Sequence, residues 1–354
     1  MLLSMEHPFF SLIIVDDHFH AQDKHLCFMR NEKIPVEFIK KTWSKISMKD
    51  QKGNLFLRKL TNESYKLLDW PKIHSETLAL CRNHPSVELV TGQVQSIIEK
   101  DNKVNINLGQ DKIISCDKLF NSVQLVKNKV NLVQQFQGAI VEFDHDAYDA
   151  DDARLMDFDG LSTHGSLEFK YELAFTPRKA LIEYTVITSN VLPREEIQAR
   201  FSQMLQGLRG VQRITNEESG IIPMPATKHV NINTARILNI GLAGGFQRRS
   251  SGYLLQSVHD QLESWVDFIS STGTPRPRGK KLTELLDTIF LSVLRNNFSL
   301  GQRLFISMFN ASSGDQFLRF MFNPMTIKNM YPVVMSLPKR PFLKHAAIHL
   351  KSFF

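Results

Sequence analysis

Between positions 138 and 188 the chain carries four β-prone runs, 138–143, 155–158, 167–175 and 179–188, and a helix-like stretch at 194–207 then interrupts them. Long runs of this kind suit an antiparallel sheet, and any fold for the sequence has to accommodate that sheet first. Around it the signals change. Near the start, a short apolar run at 12–15 ends in Asp16 and Asp17, which reads as a buried strand closed by acids. A helix is expected over 71–84, where Ile73, Thr77, Leu78 and Cys81 recur at helical spacing. Short β-rich runs at 87–90, 94–98, 104–108 and 118–121 suggest a meander returning to a main sheet.

Further along, 237–240 reads as a buried strand that runs into Gly241, Leu242, Ala243, Gly244 and Gly245. A helix over 251–269 follows, with Leu254, Val258, Leu262, Val266 and Ile269 on one face. The Pro and Arg stretch at 275–279 looks like a linker. Beyond it Leu282, Leu285, Leu286, Ile289, Phe290, Val293 and Leu294 form the apolar stripe of a helix, and more helices are expected to the end. The fold class expected is α/β with α+β elements. Its parts are a Rossmann-like domain over 1–130 and 210–274, an antiparallel-sheet substrate domain over 131–209 and a helical subdomain over 275–354.

Composition sets limits on function. With 354 residues and 42% hydrophobic content the chain supports a real core, and its three cysteines are too few and too far apart for a disulfide framework or a CxxC metal site. A reducing, cytoplasmic setting is expected. The first 15 residues lack the basic flank and cleavage site of a signal peptide, and no apolar run approaches membrane-spanning length. Charge is uneven: from Pro275 onward there are 12 Lys or Arg against three acids, net +9, whereas the preceding 274 residues carry 31 basic and 33 acidic residues, net −2. A basic, Phe-rich helical tail reads as a surface facing anionic lipid or as a helical subdomain with a Phe core, and both readings are compatible. A nucleic-acid role lacks any supporting motif.

Several residues suggest chemistry. A strand leading into a glycine-rich turn and a helix, as at 237–245 and onward, exposes backbone N–H groups to an anion, although such turns also need glycine for packing. Asp16 stands where a dinucleotide fold places the acid that holds a ribose. The glycine fingerprint belongs about 20 residues before that acid. Only 15 residues precede Asp16 and the first glycine is Gly53, so the sequence is expected to lack the first strand and its turn. Glu183 sits in the run Ala180, Leu181, Ile182, Glu183, Tyr184, Thr185. Alternation leaves two readings for it: a desolvated acid that stays protonated and can donate, or a solvated residue on a polar face, which periodicity alone favours. His18 and His20, and His345 and His349 at helical spacing, lack a third ligand nearby and read as surface residues, so no metal site is expected.

Taken in order, the blocks resemble the bacterial lycopene β-cyclase family of flavin-dependent carotenoid cyclases. Ile13, Ile14, Val15 and Asp16 match its second strand, and Cys27 and Phe28 fall within its Asp-Arg-Thr-Trp-Cys-Phe-Trp run, from which the chain departs at Lys24, His25, Leu26 and Met29. Trp43 stands at its next tryptophan. Phe136, Gln137 and Gly138 are similar to its mid-chain run, as are Met156, Asp157 and Phe158, and Leu181 to Thr185 resembles Leu-Val-Glu-Tyr-Thr. Ile222, Pro223 and Met224, the block from Gly241 to Tyr253, and the tail segment with Leu337, Pro338, Pro341 and Phe342 complete the resemblance, with Leu242 and Ser251 each replacing a Thr.

That resemblance implies an isomerase that closes the ends of lycopene or a similar linear carotenoid into β-ionone rings without net redox change. Glu183 matches the motif glutamate and would be the acid or base. The implied cofactor is FAD in its reduced form, with NAD(P)H as ultimate reductant. Asp16 would hold its adenosine ribose, while Gly241, Gly244, Gly245, Ser251, Gly252 and Tyr253 would face its phosphate and ribityl side. The apolar substrate implies peripheral membrane attachment. Two other readings stay open: a different FAD-dependent isoprenoid oxidoreductase, and a non-catalytic carotenoid- or membrane-binding remnant.

Overall fold

The structure is a computed structural model that describes residues 11–20, 24–29, 34–123, 132–161, 165–225, 233–259, 261, 265, 268–269, 281–322 and 327–353. The chain begins with strands β1 (Leu12–Asp16), β2 (Cys27–Met29), β3 (Ile39–Trp43), β4 (Lys45–Lys49), β5 (Leu55–Lys59) and β6 (Tyr65–Leu68), then helix α1 (Trp70–Asn83). Strands β7 (Val87–Thr91), β8 (Ser96–Lys100), β9 (Lys103–Asn107), β10 (Ile113–Cys116) and β11 (Leu119–Asn121) lead to the long strands β12 (Leu132–Phe143), β13 (Asp152–Asp157), β14 (Leu167–Thr176) and β15 (Lys179–Thr188). After α2 (Arg194–Gln206) come β16 (Val211–Met224), β17 (Ile237–Asn239) and α3 (Leu255–His259). The C-terminal helices are α4 (Lys281–Asn296), α5 (Gly301–Asn310), α6 (Gly314–Phe322), α7 (Ile327–Ser336) and α8 (Lys339–Phe353). The expected linker at 275–279 lies outside the described residues, as do positions 260, 262–264, 266 and 267 of the expected helix over 251–269.

The protein is a mixed α/β fold. Its Rossmann-like part is two parallel pairs, β1 with β7 and β11 with β17. Helix α1 stands between β1 and β7 in the chain, starts at Pro71 in its first turn under an Asp69 cap that accepts from the Lys72 N–H, and packs on β7. The short runs after it do not return to a main sheet as a single meander. Strands β8, β9 and β10 form their own antiparallel sheet, joined by two-residue turns at Asp101–Asn102 and Gln110–Asp111 whose positive φ values match the twist of a tight hairpin.

The dominant element is a seven-stranded sheet in the order β16-β12-β15-β14-β13-β4-β5, antiparallel except where β13 meets β4. It takes in 45–59 and 211–224 besides the expected 131–209. The pattern of β16 hides it from sequence reading: as an edge strand it is polar over most of its length, and it tolerates Pro223 because an edge needs fewer ladder donors.

Both faces of this sheet are covered, which explains why β15 reads as almost continuously apolar. Ala139, Tyr184 and Val186 pack against Ile197 and Phe201 of α2 on one side. On the other, Leu167, Leu181 and Ile187 share a core with Leu294, Leu304, Phe305 and Phe309 of the helical end. Each such buried large side chain stabilises the fold by roughly 1.5–3 kcal/mol. Close approach is secured by Gly301 at the start of α5, where a Cβ would lie 2.8 Å from the Leu167 methyls. Asp315 at the start of α6 ties the helices to the β5–β6 loop, accepting from the backbone N–H groups of Thr61 and Asn62 and from the Thr61 hydroxyl at 3.0, 3.0 and 2.8 Å.

Candidate active site

Residues paired across an antiparallel sheet point to the same face, and one such row crosses β14, β15, β12 and β16 as Tyr171, Glu183, Gly138 and Glu218. Neighbouring strands lie about 4.8 Å apart, so the two glutamates start about 10 Å apart at their Cα atoms. Gly138 leaves the space between them empty of side chain. A Cβ there would lie 2.6 Å from the Glu183 Cγ. Across that gap the two side chains face each other, and Glu218 acts on the Glu183 carboxyl as a like charge and as a hydrogen-bonding neighbour. Beside Glu218 the β16 register shifts, and Asn216 adopts φ 51°, a bulge of the kind that re-aims the side chains next to it.

The far side of Glu218 is held by the segment leading into β2. His25 Nδ1 lies 2.7 Å from Glu218 Oε1, and the His25 backbone N–H lies 3.4 Å from Oε2. The imidazole is 3% exposed and the Glu218 side chain 10%. On the Glu183 side stand Cys27 and three tyrosines. The Tyr65 hydroxyl lies 2.6 Å from that of Tyr171 and 2.9 Å from that of Tyr253, and Tyr171 donates to Cys27 Sγ at 3.5 Å. Trp43, whose indole donates to the Ala174 carbonyl, packs against Tyr65, and Phe322 packs 3.9 Å from the Tyr253 ring.

The electrostatics follow from this enclosure. Burial, then the charge and hydrogen bond of Glu218, push the Glu183 carboxyl well above its ordinary range. Burial also pushes the Cys27 thiol up to about 12 and raises the Tyr65, Tyr171 and Tyr253 phenols. The solvated reading of Glu183 is therefore corrected: the residue is 9% exposed because the face opposite α2 is covered by the helical end, which strand alternation alone does not reveal. Chemically the site offers a neutral carboxylic acid, a second carboxyl as its proton partner, and aromatic faces that tolerate positive charge.

The other expected residues are placed elsewhere. Asp16 is exposed at the carboxyl end of β1 and accepts from the His18 N–H at 3.2 Å. Gly241 follows β17 with φ +55°, and no atom of the described residues lies within 4 Å of where its Cβ would stand. In the same turn the N–H groups of Gly244, Gly245 and Phe246 donate back to Ile240, Leu242 and Gly241, and a Cβ on Gly244 would lie 2.4 Å from the Asn239 carbonyl oxygen. These glycines close the turn. Ser251, Gly252 and Tyr253 form a loop and not a helix start, since α3 begins at Leu255. The Ser251 hydroxyl donates to the Met321 carbonyl at 2.9 Å, Gly252 packs on Ile222, and Tyr253 joins the Glu183 chamber. Asp16, Asp17 and His18 bring three ligand atoms within 4.8 Å of one another, an exposed cluster of a kind common without any ion.

Sequence reading missed Glu218, His25, Tyr65 and Tyr171. Glu218 had a usable signal: with Gly220 and Ile222 it alternates into the Ile-Pro-Met block. His25 had none beyond its place two residues before Cys27. A small cavity of about 60 Å³ opens in the helical end, walled by Phe290, Phe305, Phe320 and Phe342 with Ser250 and Asp287 as polar groups. Phe320 lines it while Phe322, on the same helix, packs on Tyr253, so α6 lies between this space and the tyrosine hydroxyls. Among the described residues no helix is long and apolar enough to cross a membrane.

Comparison with solved structures finds the same overall fold in a geranylgeranyl bacteriochlorophyll reductase-like protein from Thermoplasma acidophilum, 10% identical over 97% of this chain and 93% of that one, with a TM-score of 0.61. HpxO of Klebsiella pneumoniae, solved in complex with FAD and uric acid, is likewise 10% identical over 94% and 98% of the two chains, with a TM-score of 0.54. At that identity the likeness is one of fold. A search of curated proteins gives no match. The sequence itself matches a family model described as lycopene cyclase protein over residues 26–347, and the chain belongs to the lycopene cyclase family.

Proposed function

We propose that the protein cyclises the ends of lycopene or a similar linear carotenoid, with Glu183 as the acid that starts ring closure. The observation that carries this reading is the carboxyl pair of buried Glu183 and largely enclosed Glu218, beside Cys27 and three tyrosines. The Glu183 O–H gives its proton to the terminal alkene, forming a C–H bond and a tertiary cation. The neighbouring double bond attacks that cation, a C–C bond closes the ring, and a hydrogen leaves the adjacent ring carbon for the carboxyl pair. Protons balance and no electrons are exchanged. The tyrosine and Phe322 rings exclude water that would otherwise trap the cation.

The family and the FAD-bound neighbour support FAD as the cofactor. Asp16, exposed at the carboxyl end of β1, and Gly241, with open space about its Cα, fit the sugar and ribityl edges of such a group at the carboxyl ends of parallel strands. Reduced FAD, with NAD(P)H as the ultimate electron source, supplies a negative charge that stabilises a nearby cation.

Peripheral membrane attachment belongs to the same reading. The outward face of α8 mixes Lys339, Arg340 and Lys344 with Leu343, Ile348 and Leu350, the three apolar residues being 66%, 56% and 41% exposed. Basic and apolar groups on one helix face suit anionic lipid, where a carotenoid resides. Incubating the flavin-loaded protein with lycopene in the absence of oxygen tests the reading. Isomeric ring-bearing products formed without stoichiometric reductant support it. Reduced linear products, or hydroxylated ones once oxygen is admitted, would instead assign an isoprenoid oxidoreductase.

A further inference from the structure

Two carboxyl groups that hydrogen-bond to each other hold a proton between them, and one of the two has to be the O–H donor. The surroundings of Glu218 decide which. Its Oε1 lies 2.7 Å from His25 Nδ1, which donates to it in the tautomer that carries the ring hydrogen on Nδ1, and its Oε2 faces the His25 backbone N–H at 3.4 Å. A carboxyl group whose outer oxygens meet N–H donors is best satisfied as an ionised, acceptor-only group. Resting on the acid role proposed for Glu183, we propose that His25 is a positioning residue that keeps Glu218 as the acceptor and so places the shared proton on Glu183, facing the chamber.

Among the described residues, the other titratable groups around the pair are Cys27 on β2, Tyr65 on β6, Tyr171 on β14 and Tyr253 ahead of α3. Burial raises the thiol and the three phenols, so none of the four carries a charge across the working pH range. The relay is built from this chain's own residues, with His25 on the approach to β2 and Glu218 on β16. It gives Glu218 a defined part in the cycle: it holds the site's negative charge while Glu183 is neutral, and it takes part in recovering the proton that leaves the ring.

Infrared spectra of the full-length protein at neutral pH test the assignment without requiring turnover. The buried carboxylic acid C=O band is expected in the wild type and in Glu218→Gln, and absent in Glu183→Gln. Adding His25→Ala to Glu183→Gln releases Glu218 to take up a proton, and the band returns. His25→Asn in the same background keeps a donor and keeps the band absent. In otherwise wild-type protein, His25→Ala slows cyclisation by about ten- to a hundred-fold and changes its pH profile, and His25→Asn recovers most of both. A band that persists in Glu183→Gln, or one that fails to return in the double variant, overturns the assignment. A protein with the predicted spectra that forms no rings would instead overturn the proposed reaction and leave the proton on Glu183.

Discussion

Glu183 and Glu218 stand in register on opposite sides of Gly138, on strands that are not neighbours, and their carboxyl groups meet only because the residue between them has no side chain. The pair is therefore a product of sheet topology, since β15 and β16 both pair with β12.

Gly138→Ala follows directly. Its methyl group would arrive 2.6 Å from the Glu183 Cγ, so the glutamate has to move and the carboxyl contact breaks. Overpacking of this kind costs about 1–3 kcal/mol, and the expected result is a folded protein with at least about ten-fold slower turnover. Thermal unfolding and product formation measured on the same preparation check it. Unchanged turnover would mean that the contact is dispensable.

Glu183→Gln separates the roles of this residue in stability and in reaction. An acid whose folded pKa is raised binds its proton more tightly in the native state, so its contribution to stability falls as pH rises from the ordinary 4.5 toward the folded value. The amide carries no such penalty. The variant is expected to gain stability relative to the wild type as pH is raised, while losing about a hundred-fold or more in turnover. Denaturant midpoints compared at acidic and neutral pH show the trend, and a difference independent of pH would count against the raised pKa.

Asp315 makes the opposite prediction. Its N–H and hydroxyl donors hold the carboxylate down to a pKa of about 2, from 3.8, so its stabilisation is present above 3.8 and is lost as pH falls toward 2. Asp315→Asn should cost about 2 kcal/mol at neutral pH. The gap to the wild type should close in acid, which urea unfolding at a series of pH values reads directly.

Vesicle partitioning examines the C-terminal helices. With its tail at net +9 and Leu343 and Ile348 exposed on α8, the full chain is expected to bind anionic vesicles in preference to neutral ones, with the preference weakening as salt is added. Equal partitioning into both at low salt contradicts the lipid-facing role of this surface.

Much of the fold was legible in local pattern. Strand β15 and helices α1 and α2 lie where apolar spacing puts them, because their period reflects contacts with immediate layers. Strand β16 was not legible, since an edge strand interrupted by a bulge, a glycine and a proline carries little periodic signal. The site divides along the same line. Glu183 was singled out by its motif resemblance while its own strand favoured a solvated face, because its burial depends on helices more than 100 positions away in sequence, and Glu218 and His25 reach it only through pairing with β12 and the packing of the β2 approach. Alternation describes one strand at a time, whereas this site is a row across four.

The central claim is that a proton held on Glu183 is delivered to carbon. Running the reaction in deuterated solvent and weighing the cyclic carotenoid tests it most directly. The added hydrogen comes from the exchangeable acid and a different one leaves the ring, so each ring formed should carry a single deuterium, and Glu183→Gln should yield no labelled product. Rings without deuterium, or labelled rings from Glu183→Gln at the wild-type rate, would contradict the account.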